Sequence, residues 1–155
     1  MLTKDAIAEF KYILHDVNSE YNEQACLYRL NSAIHHTAML LMDAGSPLLV
    51  KEADMADGED VPSDFVRTVG LYPIALTGRT LSYIDGSTSM KVRYYAAPET
   101  LTNALGSLPF ALESLNDFVV RLAAMFALNR NEFDITQDKG LMTDFQTAAA
   151  PVLGA

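Results

Sequence analysis

The sequence is short of reactive and of positively charged side chains. It holds one cysteine, Cys26, so no intrachain disulfide can form, and a reducing compartment is the expected setting. Cys26 falls within a helical pattern and reads as a small buried hydrophobe, with no electropositive neighbour to lower its thiol pKa. Lys and Arg number 11 against 20 Asp and Glu, a formal net charge of −9. Such a chain has little reason to grip a phosphate backbone, where affinity comes from Lys and Arg displacing counterions. Long apolar runs are missing too. The strongest, Phe118 to Leu128, is interrupted by Arg121 and falls short of the roughly 20 residues a membrane-spanning helix needs. The opening residues MLTKDAIAEF carry charge where a secretory signal carries apolar residues. The expectation is a soluble intracellular protein with no membrane contact.

Catalytic motifs are absent in the same way. There is no Gly-x-Ser-x-Gly elbow, and Gly78-Arg79-Thr80 lacks the glycine spacing and lysine of a phosphate-cradling loop. His35 and His36 are adjacent, so on a helix they point about 100° apart and do not share an ion easily. With His15 they do not make the zinc-protease spacing either. The acidic run Asp54, Asp57, Glu59, Asp60 fails the calcium-loop pattern, because counting from Asp54 puts Ala56 and Gly58 at positions three and five. No catalytic, cofactor or metal site is expected. A small metal-dependent enzyme built on the histidines and the acidic run is a minor alternative, as is an acidic module that binds a basic protein.

What is present is a fold. Half of the 155 residues are hydrophobic, too many for disorder at this charge content, and the length suits one domain. Around Pro109 to Asn129, the residues Leu112, Leu115, Val119, Leu122 and Phe126 recur every three or four positions, the period of one helix face. Pro109 suits a first helical position, Glu113 and Asp117 suit the early turns, and Arg130 the far end. A first helix is expected from Lys4 to about Val17, capped by Thr3, with Ile7, Phe10, Ile13, Leu14 and Val17 as its stripe. A second runs from Glu23 to about Asp43 behind Asn22 and is ended by Gly45-Ser46-Pro47. Asn31 flanks its apolar stripe and, if buried, needs a hydrogen-bond partner, which would tie this helix to a neighbouring turn.

Between these helices the period changes. Leu48 to Lys51 reads as a short strand, Glu52 to Asp60 as an acidic loop turning at Asp57-Gly58. Phe65 to Ile74, Thr80 to Ile84 and Met90 to Tyr95 are rich in β-branched and aromatic residues and read as short antiparallel strands. Arg67, Arg79, Lys91 and Arg93 form a basic cluster here, suited equally to a docking surface or a solvated sheet face. Glu99 to Leu105 suggests a short helix, and Ile135 to Ala149 a last one with Ile135, Met142 and Phe145 inward. Gly140 costs that helix about 1 kcal/mol relative to alanine. The fold class is mainly α with a small antiparallel β insertion (α+β). About four helices, from residues 1–46 and 99–149, form a helical bundle core. Residues 47–98 form the inserted β-lobe and residues 150–155 an apolar C-terminal tail.

Read in order, these elements resemble the head–tail connector (adaptor) proteins of tailed bacteriophages. The resemblance rests on Tyr28-Arg-Leu-Asn-Ser-Ala33, Val61-Pro-Ser-Asp-Phe65, Val92-Arg-Tyr-Tyr-Ala-Ala-Pro98 and the Leu108-Pro109 helix start, and spans nearly the whole chain. It implies a non-enzymatic virion structural protein, assembled in the host cytoplasm and located at the neck. There it would form a homo-oligomeric ring, a dodecamer matching the portal protein above it, linked to tail or neck proteins below. Genomic DNA would pass through the channel without specific binding. On this reading Phe145, Ala149, Pro151, Val152 and Leu153 are the candidate portal-docking residues, since an apolar tail buries surface on a partner. Asp54, Asp57, Glu59 and Asp60 are the candidate channel-facing acids, which would repel passing DNA. Another neck or tail-completion protein is the nearest alternative.

Overall fold

A computed structural model describes residues 1–15, 20–128 and 139–153. Among the described residues there are four helices and two small antiparallel sheets: α1 (Thr3–Ile13), α2 (Glu23–Asp43), α3 (Glu113–Leu128) and α4 (Lys139–Ala149), with β1 (Val50–Ala56), β2 (Phe65–Thr68), β3 (Ile74–Thr77), β4 (Thr80–Tyr83) and β5 (Ser89–Ala96) inserted between α2 and α3. Single 3-10 turns cover Pro47–Leu49 and Ala150–Val152. The α+β class is thus as the sequence implies.

α3 is the centre of the helical part and packs against α1, α2 and α4. Of the expected stripe, Leu115, Val119, Leu122 and Phe126 are buried, whereas Leu112 is half-buried ahead of the helix; Phe118, Val120, Ala123, Ala124 and Ala127 are buried too. A helix apolar on nearly every side has to lie inside; after its first turn Asp117, Arg121 and Leu128 are exposed and Met125 is half-buried. Asn22 caps α2 as expected, its side-chain oxygen accepting from the Ala25 N–H at 2.9 Å. Gly45 follows the last turn at φ +73°, a conformation that glycine takes without strain.

Several boundaries differ from the sequence expectation, each for a local reason. Thr3 does not cap α1; it opens the helix, fully buried, behind Leu2. Its N–H instead donates to the Gly106 carbonyl at 2.9 Å, so a tertiary strand-like contact replaces the side-chain cap. Described structure in α1 ends at Ile13 and a turn through His15, and Val17 lies outside the described residues. α3 begins at Glu113, not Pro109. Leu108 and Phe110 are buried in irregular chain just before it, and the Leu108 N–H donates to the Met1 carbonyl at 2.9 Å. Residues 99–105 form no helix. Ile135 lies outside the described residues, while Phe145 is buried and Met142 half-buried.

The lobe is a three-stranded sheet in the order β1-β5-β2, with the β3–β4 hairpin as a second sheet. Most of the supposed acidic loop is strand: β1 runs through Ala56, and the turn at Asp57-Gly58 comes after it. Alternation explains this. Ala53 and Met55 face Val61, Leu81, Tyr83, Val92 and Tyr94 in a separate small core, while Glu52 and Asp54 point out, directly opposite Arg93 and Lys91. Leu48 and Leu49 are in the 3-10 turn before it. The stretch from Phe65 to Ile74 is not one strand, because a turn at residues 69–73 divides β2 from β3. Along β5, Tyr94 enters the lobe core and Tyr95 the helical core. Consecutive strand residues point to opposite faces, so one strand serves both cores.

Candidate assembly surfaces

Where the lobe meets the helices, the segment 97–101 is clamped at both ends. Asn31 on α2 donates its Nδ2–H to the Leu101 carbonyl at 2.9 Å, and its Oδ1 accepts the Leu101 N–H at 2.8 Å. At the other end the Ala97 N–H donates to the Asp64 carbonyl at 2.7 Å. Asn31 therefore does what its place on the helix flank suggests. Satisfying this backbone from a side chain 70 residues away is also why no helix forms there. Two of the elements on which the resemblance rests, Tyr28–Ala33 and Val61–Phe65, supply these clamps through Asn31 and Asp64. Leu30, Ala33 and Val61 are buried beside them, and the Phe65 ring lies 5.6 Å from that of Tyr94.

The clamped segment, with Leu48, Leu49, Lys51 and Pro109, lines an open groove of about 540 Å³. In its wall Lys51 Nζ donates to Asp64 Oδ2 at 2.7 Å and Tyr94 Oη to Asp64 Oδ1 at 3.1 Å. Burial works to raise the Asp64 pKa, but the hydrogen bonds from Lys51 and Tyr94 and the lysine charge outweigh it, and the carboxyl sits below its ordinary range. Lys51 is shifted up by the same hydrogen bond and the facing carboxylate. A carboxyl with a depressed folded pKa contributes stability that is fully present above its unfolded pKa and is lost as pH falls through the folded value. Asp64→Asn is therefore expected to flatten the acid limb of the stability–pH curve, measured by denaturant unfolding between neutral and acid pH. An unchanged slope would assign acid unfolding to other groups. This network was not legible in the sequence, since Lys51, Asp64 and Tyr94 are scattered, and it takes the pairing of both β1 and β2 on β5 to bring them together.

Two of the four acids proposed for a channel are tied into the lobe. Asp57 Oδ1 accepts the Tyr83 N–H at 2.8 Å, and Asp60 Oδ1 accepts from Thr80 Oγ1 at 2.9 Å. All four of these acids are exposed. The basic cluster is likewise partnered. Arg67 lies 3.3 Å from Asp43 and over the Tyr95 ring at 5.3 Å, Arg79 donates to the Pro62 carbonyl, and Arg93 lies 3.7 Å from Glu52. Three of its four members thus brace the lobe. Exposed pairs of this kind stabilise by about 1 kcal/mol or less.

The candidate docking residues of the tail are divided by the fold. Phe145 and Ala149 belong to the core at 2% and 0% exposure, Phe145 with its ring 5.6 Å from that of Phe118. Val152 and Leu153 are half-buried against the same core, and Pro151 is exposed. Two serines fix the segment: Ser114 Oγ donates to the Ala148 carbonyl at 2.6 Å and Ser46 Oγ to the Val152 carbonyl at 2.8 Å. Neither contact was legible in the sequence, where Ser46 reads only as part of a helix stop and Ser114 as a residue of a first helical turn.

His35 and His36 are exposed on α2, their ring centroids 5.9 Å apart at 88°. His36 Nδ1–H donates to the Ser32 carbonyl at 2.8 Å, and its ring packs on Phe126 at 4.9 Å. Among the described residues no three His, Cys, Asp or Glu side chains gather as metal ligands, and no helix is long and apolar enough to cross a membrane. Cys26 is buried, with its Sγ 3.8 Å from the Tyr21 carbonyl. No family model matches the chain, and no curated protein matches it.

Proposed function

We propose that this protein is a virion structural component, a head-to-tail adaptor that forms a ring under the portal and leaves a channel for DNA. The observation that carries the reading is the clamped segment at the lobe–helix junction. The elements behind the resemblance to connector proteins are the ones that fix the lobe to the helices, so they encode an architecture and not a reaction. Large apolar side chains are exposed on the helical part (Tyr12, Tyr28, Leu128) and on the lobe (Leu71, Ile84). Head-to-tail ring contacts need two different surfaces on each copy, and both parts of the chain offer one.

Mixing the purified protein with an isolated portal ring and imaging the product tests the proposal. Added density at one end of the portal, with one copy per portal subunit, is expected; a protein that stays monomeric and ignores the portal would refute it. Truncation after Phe145 is a poor probe, because it removes Ala148 and Ala149 from the core. Leu153→Asp is better suited: it should leave the fold intact and reduce capture by the portal.

A second reading has one observation in its favour. Val152 and Leu153 of the tail already pack, half-buried, against the chain's own core, as suits a neck or tail-completion protein that meets its neighbours through the lobe. Such a protein would bind assembled necks or tails and not bare portal.

A further inference from the structure

The β3–β4 hairpin has one covered edge and one open one. Gly78 takes φ +63° as the first residue of a two-residue turn, which suits the type II′ geometry of tight hairpins. Thr77 pairs with Thr80 across that turn, so Thr77/Thr80 and Ala75/Ser82 exchange backbone hydrogen bonds, while Leu76 and Leu81 point their backbone groups away from each other. On the β4 side these outward groups are satisfied: Leu81 N–H donates to the Glu59 carbonyl at 2.9 Å, and its carbonyl accepts from Gly58 N–H at 2.8 Å. On the β3 side, Leu76 meets no such partner among the described residues and is 45% exposed.

The lobe's other edges are guarded. β1 carries Lys51, Glu52 and Asp54, and β2 is bulged between Phe65 and Arg67; charge and bulges are the usual defences against edge-to-edge pairing. β3 has neither, and residues 69–78 contain no charge. Leu71 and Ile84, at 102% and 76% exposure, add apolar surface near it in the chain. We infer that β3 pairs antiparallel with β3 of a second copy, Leu76 facing Leu76 across a two-fold axis, and that free protein dimerises through this edge. A second copy is the fitting occupant for two reasons. Its own Leu76 presents the complementary donor and acceptor. In a chain of net charge −9, β3 also sits in an uncharged stretch, residues 69–78, so two copies meet there without bringing carboxylates together. Leu76 fixes the register, because the Ile74 N–H is already taken by the Tyr72 carbonyl at 2.8 Å.

The contact is isologous, whereas ring contacts are heterologous, so this inference and the adaptor reading fail independently. The test combines sedimentation with disulfide trapping in a Cys26→Ala background. Facing residues of a hydrogen-bonded antiparallel pair lie about 5.5 Å apart, within disulfide reach, so Leu76→Cys should give a covalent dimer on mild oxidation. Thr77→Cys, displaced from the axis, should not. Leu76→Pro removes an N–H the hairpin does not use and should raise the dimer dissociation constant at least tenfold with the circular dichroism unchanged. Leu76→Lys gives a second route to the same loss should proline disturb the strand. A wild-type chain that stays monomeric to high concentration, dimers unaffected by both Leu76 substitutions, or equal trapping at Leu76→Cys and Thr77→Cys would overturn the inference. Rings assembling on portal without any Leu76-dependent dimer would overturn it and leave the adaptor reading standing.

Discussion

Phe118→Ala is expected to lower the unfolding free energy by about 3–5 kcal/mol, the range for emptying a buried aromatic site. Phe118 has no exposed surface, lies on the central helix and holds Phe145 of α4 against it. Relaxation into the cavity is resisted from three sides, since α1, α2 and α4 all pack on α3. Against a total stability of about 5–15 kcal/mol for a domain, such a loss is a large fraction. Urea unfolding would show it as a lower midpoint with an unchanged slope. Adding Phe145→Ala should cost less than the sum of the two single changes, because the second ring leaves a contact already lost. Strict additivity would mean that α4 is held mainly by Ala148, Ala149 and the two serine clips.

The second large effect is expected at Asn31. Asn31→Ala leaves the N–H and carbonyl of Leu101 without their partner, and each unsatisfied group costs about 1–3 kcal/mol where water is excluded. The site is only partly buried, so a total of about 2 kcal/mol is expected. The diagnostic readout is local: amide exchange at Leu101 should accelerate far more than exchange in α3. Asn31→Asp keeps the acceptor and loses the donor, and should fall between wild type and alanine. If both amides exchange at the same rate in Asn31→Ala, the segment 97–101 is held by other contacts.

How much of this was written in the sequence depends on the range of the interaction. α2 and the body of α3 were legible because their apolar period is local and strong, and Asn22 and Gly45 act on residues within one turn. The start of α3 was not, because Pro109 is equally compatible with extended chain, and burial of Leu108 and Phe110 decided between the two. The acidic run misled for a different reason. Its charge suggested a loop, while Ala53 and Met55 between the acids carried the weaker two-residue alternation of a strand. Partners lying far off in sequence, such as Arg93 for Glu52 or Leu101 for Asn31, emerge only from register. Of the candidate surfaces, composition identified the apolar tail and the charged lobe, and periodicity turned Phe145 inward, but neither showed that three of the four basic residues are occupied.

The two neighbouring tyrosines of β5 have a mechanical consequence. One ring is rooted among the strands and the next among the helices, with a single peptide unit between them. A neighbour that tilts the lobe must therefore move α2 and α3 as well, or break the strand's pairing, so load received on one half is passed to the other without a compliant linker between them.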